Sequence, residues 1–185
     1  HTKGYITSNR ENGTKEEEGT CCNDIYHFDI NSPKKIDTNQ VIKSFDEVVK
    51  YLPVKLYFHN DEPNPRTNAT NTKLTFKDTY EAYTNRMNEY ILNYGSDLVD
   101  ILKYEAQSKM KFFFKTDLTT GMEQLEMIAN LLSKELEQGK KIDLTLKGFA
   151  SPLANSDYNI NLTKRRISSV INFFKVYNNN ILLKY

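Results

Sequence analysis

The sequence predicts an α/β (α+β) sandwich in which helices cover one face of a small sheet, and three observations predict it. Val54-Lys55-Leu56-Tyr57-Phe58 and Lys141–Gly148 each alternate apolar and polar residues, the pattern of a strand with one buried face. Met122–Leu136 and Asp157–Tyr177 instead repeat their apolar residues at helical spacing. In chain order these give strand, helices, strand, helix.

Residues 1–31 differ from the rest. Gly4–Ser8 and Asp24–Asp29 alternate as short strands around Asn12-Gly13, a turn dipeptide, which predicts a hairpin. Residues 32–51 read as a polar linker with an amphipathic stretch, Val41–Val49. The main domain is expected over 52–185. After its first strand comes the polar loop His59–Pro65, whose two prolines block any regular element. A helical insertion follows over 75–111. Tyr80, Tyr83, Met87, Tyr90, Ile91 and Tyr94 recur at helical spacing and predict a core face rather than a stacking platform. Gly95 is placed to end that helix and Ser96 to cap the next, where Leu98, Val99, Ile101, Leu102 and Tyr104 supply an apolar face. Phe112-Phe113-Phe114 fits either a strand or a buried helix. In Met122–Leu136, Leu125, Ile128, Ala129, Leu132 and Leu136 share one face, and Gly139 ends the helix. The final helix carries Ile160, Leu162, Ile167, Val170, Ile171 and Phe174.

Composition excludes several classes. The 185 residues carry 25 Lys+Arg against 24 Asp+Glu. That balance lacks the basic excess of a nucleic-acid binder or of a polybasic membrane-surface protein. No apolar run approaches the roughly 20 residues of a membrane-spanning helix. The two cysteines, Cys21 and Cys22, are adjacent and form neither a disulfide framework nor a metal site. The chain opens at His1 without methionine, the expectation for a mature protein or a fragment of a longer one.

Enzyme signatures are lacking. There is no glycine-rich phosphate loop, nucleophile elbow or metal-binding helix pair, and His1, His27 and His59 stand far apart in sequence. A non-catalytic protein without cofactor or metal is expected. A hydrolase would need a metal or paired-carboxylate site that the sequence does not display. One stretch stands out, where a strand delivers Gly148 and a tight polar loop to a helix bearing Asn159 and the pair Arg165-Arg166. Asn159, Leu162 and Arg166 are spaced to share a helix face. With Leu162 facing the core, one arginine should lie at the buried edge and the other in solvent. An arginine at the rim of a loop can clamp a carboxylate through two parallel hydrogen bonds.

Gly148-Phe149-Ala150-Ser151, Tyr158-Asn159, Leu162-Thr163 and Arg166-Ile167-Ser168-Ser169-Val170 resemble, at the same spacing, the central motif of the OmpA-like (OmpA/MotB/Pal) peptidoglycan-binding family. The resemblance covers roughly residues 52–177. It implies a periplasmic, outer-membrane-associated domain that holds the charged end of diaminopimelate in the peptidoglycan stem peptide. Arg166 matches the family's arginine, and Ser151 stands where the family has an aspartate. Asn159, Asn60 and Asp61 would line the same cleft. Loss of the aspartate should weaken binding by about 1.5–3 kcal/mol, one to two decades in affinity; Asp157 or Asp61 would compensate. The phrase Gly-Phe-Ala-Ser-Pro-Leu-Ala and the tyrosine-rich insertion resemble a Bacteroidetes branch of the family. Gly4–Arg10 with Asp24-Ile25-Tyr26 resembles one repeat of a PD40 (WD40-like) propeller, which precedes this domain in envelope lipoproteins of that branch. The family fold continues with two strands after its second core helix, and this sequence stops at Tyr185. The alternative implied by Ser151 is a structural subunit that keeps the scaffold without binding stem peptide. Its partner would be an outer-membrane barrel protein of the secretion or gliding type.

Overall fold

The computed structural model describes residues 3–6, 26–29, 52–149 and 156–184. Two short strands, β1 (Lys3–Ile6) and β2 (Tyr26–Asp29), pair antiparallel, with Lys3 opposite Asp29 and Ile6 opposite Tyr26. The pairing joins the two segments whose alternation predicts a hairpin. Cys21, Cys22 and the amphipathic stretch Val41–Val49 lie outside the described residues.

From Leu52 to Lys184 the described chain is a helical bundle. Its helices are α1 (Phe76–Asn85), α2 (Met87–Asn93), α3 (Asp100–Phe113), α4 (Thr119–Glu137) and α5 (Ser156–Asn180). A π turn, Phe114–Leu118, joins α3 to α4, and a 3-10 turn, Ile181–Lys184, follows α5. Three of the boundaries have a local cause. Thr75 and Asp78 form a reciprocal capping box at the start of α1: the Asp78 amide donates to Thr75 Oγ1 (3.1 Å), and the Thr75 amide donates to Asp78 Oδ2 (2.7 Å). Gly95, at φ 76°, sits in the turn between α2 and α3. The helical geometry of α5 stops at Tyr177, where ψ is 131°, and Asn178, Asn179 and Asn180 take positive φ. Asparagine tolerates that region better than other non-glycine residues, because its short amide side chain hydrogen-bonds locally.

The predicted α/β sandwich does not form. Neither Val54–Phe58 nor Lys141–Gly148 is a strand, and no sheet exists among the described residues from 52 to 184. Alternation specifies which side chains face inward; it does not supply a backbone partner. Here both segments lay their inward side chains directly on helices. Leu56, Phe58 and Leu146 pack on a cluster of Phe76, Met122, Leu125, Ala129, Val170 and Phe173, contributed by α1, α4 and α5. Val54 and Ile142 pack on Ile128, Leu131 and Leu132 of α4. Leu144, which alternation places inward, is exposed. The first segment lies so close to α4 that a Cβ on Gly121 would stand 2.4 Å from the Lys55 carbonyl oxygen.

A third cluster organises the insertion. Tyr83, Phe114 and Leu118 are buried, with Tyr80, Met87, Tyr90, Met110 and Phe113 packed around them. The tyrosine stripe is therefore core, as its spacing predicts, except for Tyr94, which is exposed. The triple phenylalanine is helical and runs into the π turn, so Phe112 faces solvent while Phe114 is buried. The expected apolar face of α3 points the other way. Leu98, Val99, Ile101, Leu102 and Tyr104 are all exposed, and α3 buries no residue. Ser96 does not cap α3: Val99 occupies that position without a side-chain cap, and Ser96 Oγ donates to Asp97.

Candidate functional site

The loop from His59 to Thr75 crosses the bundle between the first inward segment and α1, and one stripe of α5 holds it. Leu162, Val170 and Phe173 turn to the core, and beside them Tyr158, Arg165, Ser168 and Asn172 reach the loop backbone. These residues lie three to seven apart, so one helix face presents them all. Ile160 and Ile171, expected in the core, are exposed instead.

Arg165 is fully buried. Its Nε donates to the Pro63 carbonyl (3.0 Å), and its Nη1 to those of Thr67 (2.6 Å) and Ala69 (2.8 Å). Its Nη2 makes no hydrogen bond and lies 3.8 Å from Asp61 Oδ1. The guanidinium packs on the ring of Tyr158, 5.4 Å from its centroid. A planar fork of five donors, wide and rigid, is suited to collecting three carbonyls from an irregular loop. Farther along, Asn172 Nδ2 donates to the carbonyls of Thr72 (2.7 Å) and Leu74 (3.1 Å), and the Thr72 amide donates to Ser168 Oγ (3.3 Å).

Asp61 takes φ 57° at the loop's first turn. The Tyr158 hydroxyl donates to its Oδ1, and the Arg66 amide donates to its Oδ2 (2.9 Å). Arg166 is half-buried, not in solvent as one of the two arginines was expected to be. Its Nε donates to the Glu62 carbonyl (3.1 Å), its Nη1 to the Phe149 carbonyl (3.2 Å), and its guanidinium lies 5.3 Å from the Phe58 ring centroid. Phe149 reaches it because the backbone at Gly148 runs against α5, where an added Cβ would meet Thr163 Cγ2 at 2.7 Å. The site thus gathers the loop after Phe58, the end of the 141–149 segment and the first half of α5. Of the residues singled out in the sequence, Asp61 and Arg166 are brought to this junction. Asn60 is exposed beside Asp61, Asn159 is half-buried in the first turns of α5, and Ser151 lies outside the described residues. The contributions of Arg165 to the loop, and of Glu62 and Phe149 through their carbonyls, were not foreseen. The signal for Arg165 was a polar series, Arg165, Ser169 and Asn172, at helical spacing beside Leu162 and Phe173.

At the far end of the loop, His59 joins the insertion. Arg86 Nη1 donates to His59 Nε2 (2.9 Å), so that nitrogen is the acceptor, and the Nδ1–H faces the Tyr90 hydroxyl at 2.6 Å. Burial, and next the Arg86 charge, lower the His59 pKa below 6.5, against the opposing pull of Glu62 and Glu89. The folded state therefore binds this proton less readily than the unfolded state. The stability due to neutral His59 is complete above pH 6.5 and is lost as pH falls through the lower folded value. In thermal melts from neutral to acid pH, His59→Gln is expected to lose less stability than wild type. Parallel losses in both proteins would show that His59 does not carry the effect.

Among the described residues no group of three or more His, Cys, Asp or Glu could hold a metal ion, and no helix is long and apolar enough to cross a membrane. Chemically, the junction offers a cation and a carboxylate held by neighbouring elements, suited to a small zwitterionic or anionic group. Comparison with known proteins finds no matching family model, curated protein or solved structure.

Proposed function

We propose that this chain is a non-catalytic binding module of the OmpA-like kind, which takes the charged end of a diaminopimelate-type peptidoglycan stem peptide and ties a periplasmic, outer-membrane-associated assembly to the cell wall. The observation that carries the reading is the position of Arg166, whose guanidinium spans the Glu62 and Phe149 carbonyls where the loop after Phe58 meets the end of the 141–149 segment. The motif resemblance assigns ligand binding to this arginine and to these two chain segments. Asp61, fixed by the Tyr158 hydroxyl and the Arg66 amide, supplies the carboxylate that Ser151 lacks. Together they would meet the carboxylate and the ammonium of one stem-peptide centre.

The test is co-sedimentation with purified sacculi. Wild type is expected to pellet, and Arg166→Ala to bind about ten- to a hundredfold more weakly, the loss of charge-assisted hydrogen bonds. Circular dichroism must show that the variant is folded. Undiminished binding by folded Arg166→Ala would sink the site assignment.

A second reading has its own support. Arg165 and Arg166 donate to the carbonyls of Pro63, Thr67, Ala69, Glu62 and Phe149, all of the chain itself. That is how a scaffold uses arginine, and it favours a structural subunit; its partner would be an outer-membrane barrel protein. Absence of wall binding by folded wild type would favour this second reading.

A further inference from the structure

We propose that the outer face of α3 is a self-association surface, on which a second copy of this chain docks as an antiparallel two-fold helix pair. Helix α3 packs on α2 and on the π turn, turning Ala106 and Met110 inward. Its other face is Ile101, Glu105, Ser108 and Phe112, flanked by Leu102 and Lys109. These intervals of three, four and seven make one continuous stripe. All six residues are exposed, Ile101 by 65%, Leu102 by 55% and Phe112 by 57%. Side chains of that size are costly to leave in water along a whole helix face, and a stripe of them marks an interaction surface.

The charges identify the occupant. In a two-fold pair, residue i meets j and j meets i. With antiparallel helices and the axis at the level of Gln107, Glu105 falls opposite Lys109 of the second copy and Leu102 opposite its Phe112, each contact occurring twice. The two helix dipoles also oppose. A parallel pair would set Glu105 against Glu105 and Lys109 against Lys109. An anionic lipid surface would call for a net basic face, and this stripe has one charge of each sign. Among the described residues neither Glu105 nor Lys109 forms an ion pair.

The test is sedimentation velocity of the full 185-residue chain over a range of concentrations, and it is independent of wall binding. Wild type is expected to show a concentration-dependent monomer–dimer equilibrium. Glu105→Lys and Lys109→Glu should each weaken dimerisation on the order of tenfold, because each sets like charges opposite at two symmetric places. The double variant Glu105→Lys with Lys109→Glu should restore it. Leu102→Asp should leave a folded monomer. A wild type that stays monomeric at every concentration, single reversals without effect, or a double reversal no stronger than the singles would each overturn the proposal.

Discussion

Replacement of Arg165 by alanine is expected to destabilise the bundle by about 3–5 kcal/mol, the usual cost of removing one member of a buried charged network. The variant strands three loop carbonyls, at Pro63, Thr67 and Ala69, and leaves Asp61 without its neighbouring cation. Against a total stability of about 5–15 kcal/mol this is a large share, and for a chain of this length it lowers the melting temperature by about 6–20 °C. Two further variants separate the causes. Arg165→Met keeps much of the packing and removes the hydrogen bonds; Arg165→Lys keeps the charge, but a point-like ammonium cannot span three carbonyls. Both should melt well below wild type. If Arg165→Met were as stable as wild type in urea denaturation, the loop would be held by its other contacts, those of Asn172 and Ser168.

A loss of similar size is expected for Phe114→Ala, about 3–5 kcal/mol. Phe114 is 2% exposed and is the hub of the insertion's aromatic cluster. Its ring lies 5.0 Å from that of Tyr83, 5.6 Å from Tyr90 and 5.5 Å from Phe113, centroid to centroid. Deletion opens a cavity between α1, α2 and the π turn that rigid rings cannot collapse to fill, and it removes edge-to-face contacts as well. Phe112→Ala is the control. Two positions earlier its ring is exposed, so the same deletion should cost under about 0.5 kcal/mol in the monomer. Equal losses for the two variants in denaturant melts would mean that the π turn does not direct these rings as described.

Helix locations were legible because their causes are local. The apolar repeat of Met122–Leu136 lies inside α4, and Gly95 lies in the turn where one helix ends. The stop at Tyr177 is written in three asparagines that accept positive φ. The tyrosine stripe identified a buried face for the same reason, since a periodic face reports its own burial wherever a neighbour exists. Periodicity failed where the neighbour was missing. Ile101 and Leu102 form as apolar a face as Leu125 and Ile128, yet no element among the described residues covers them.

The sequence by itself determined where the long helices run and which face of α4 is buried. Tertiary structure alone decided the rest. Backbone pairing depends on what lies alongside, so the alternating segments Val54–Phe58 and Lys141–Gly148 became irregular ribbons packed on α4 and α5 rather than a sheet. The division of labour between the arginines is likewise a matter of rotation about one helix axis. A turn of about 100° per residue carries Arg165 under the loop, to be consumed in structure, and leaves Arg166 at the junction. Adjacent identical residues hold no information about that choice; it is set by which side of the helix Leu162, Val170 and Phe173 commit to the core.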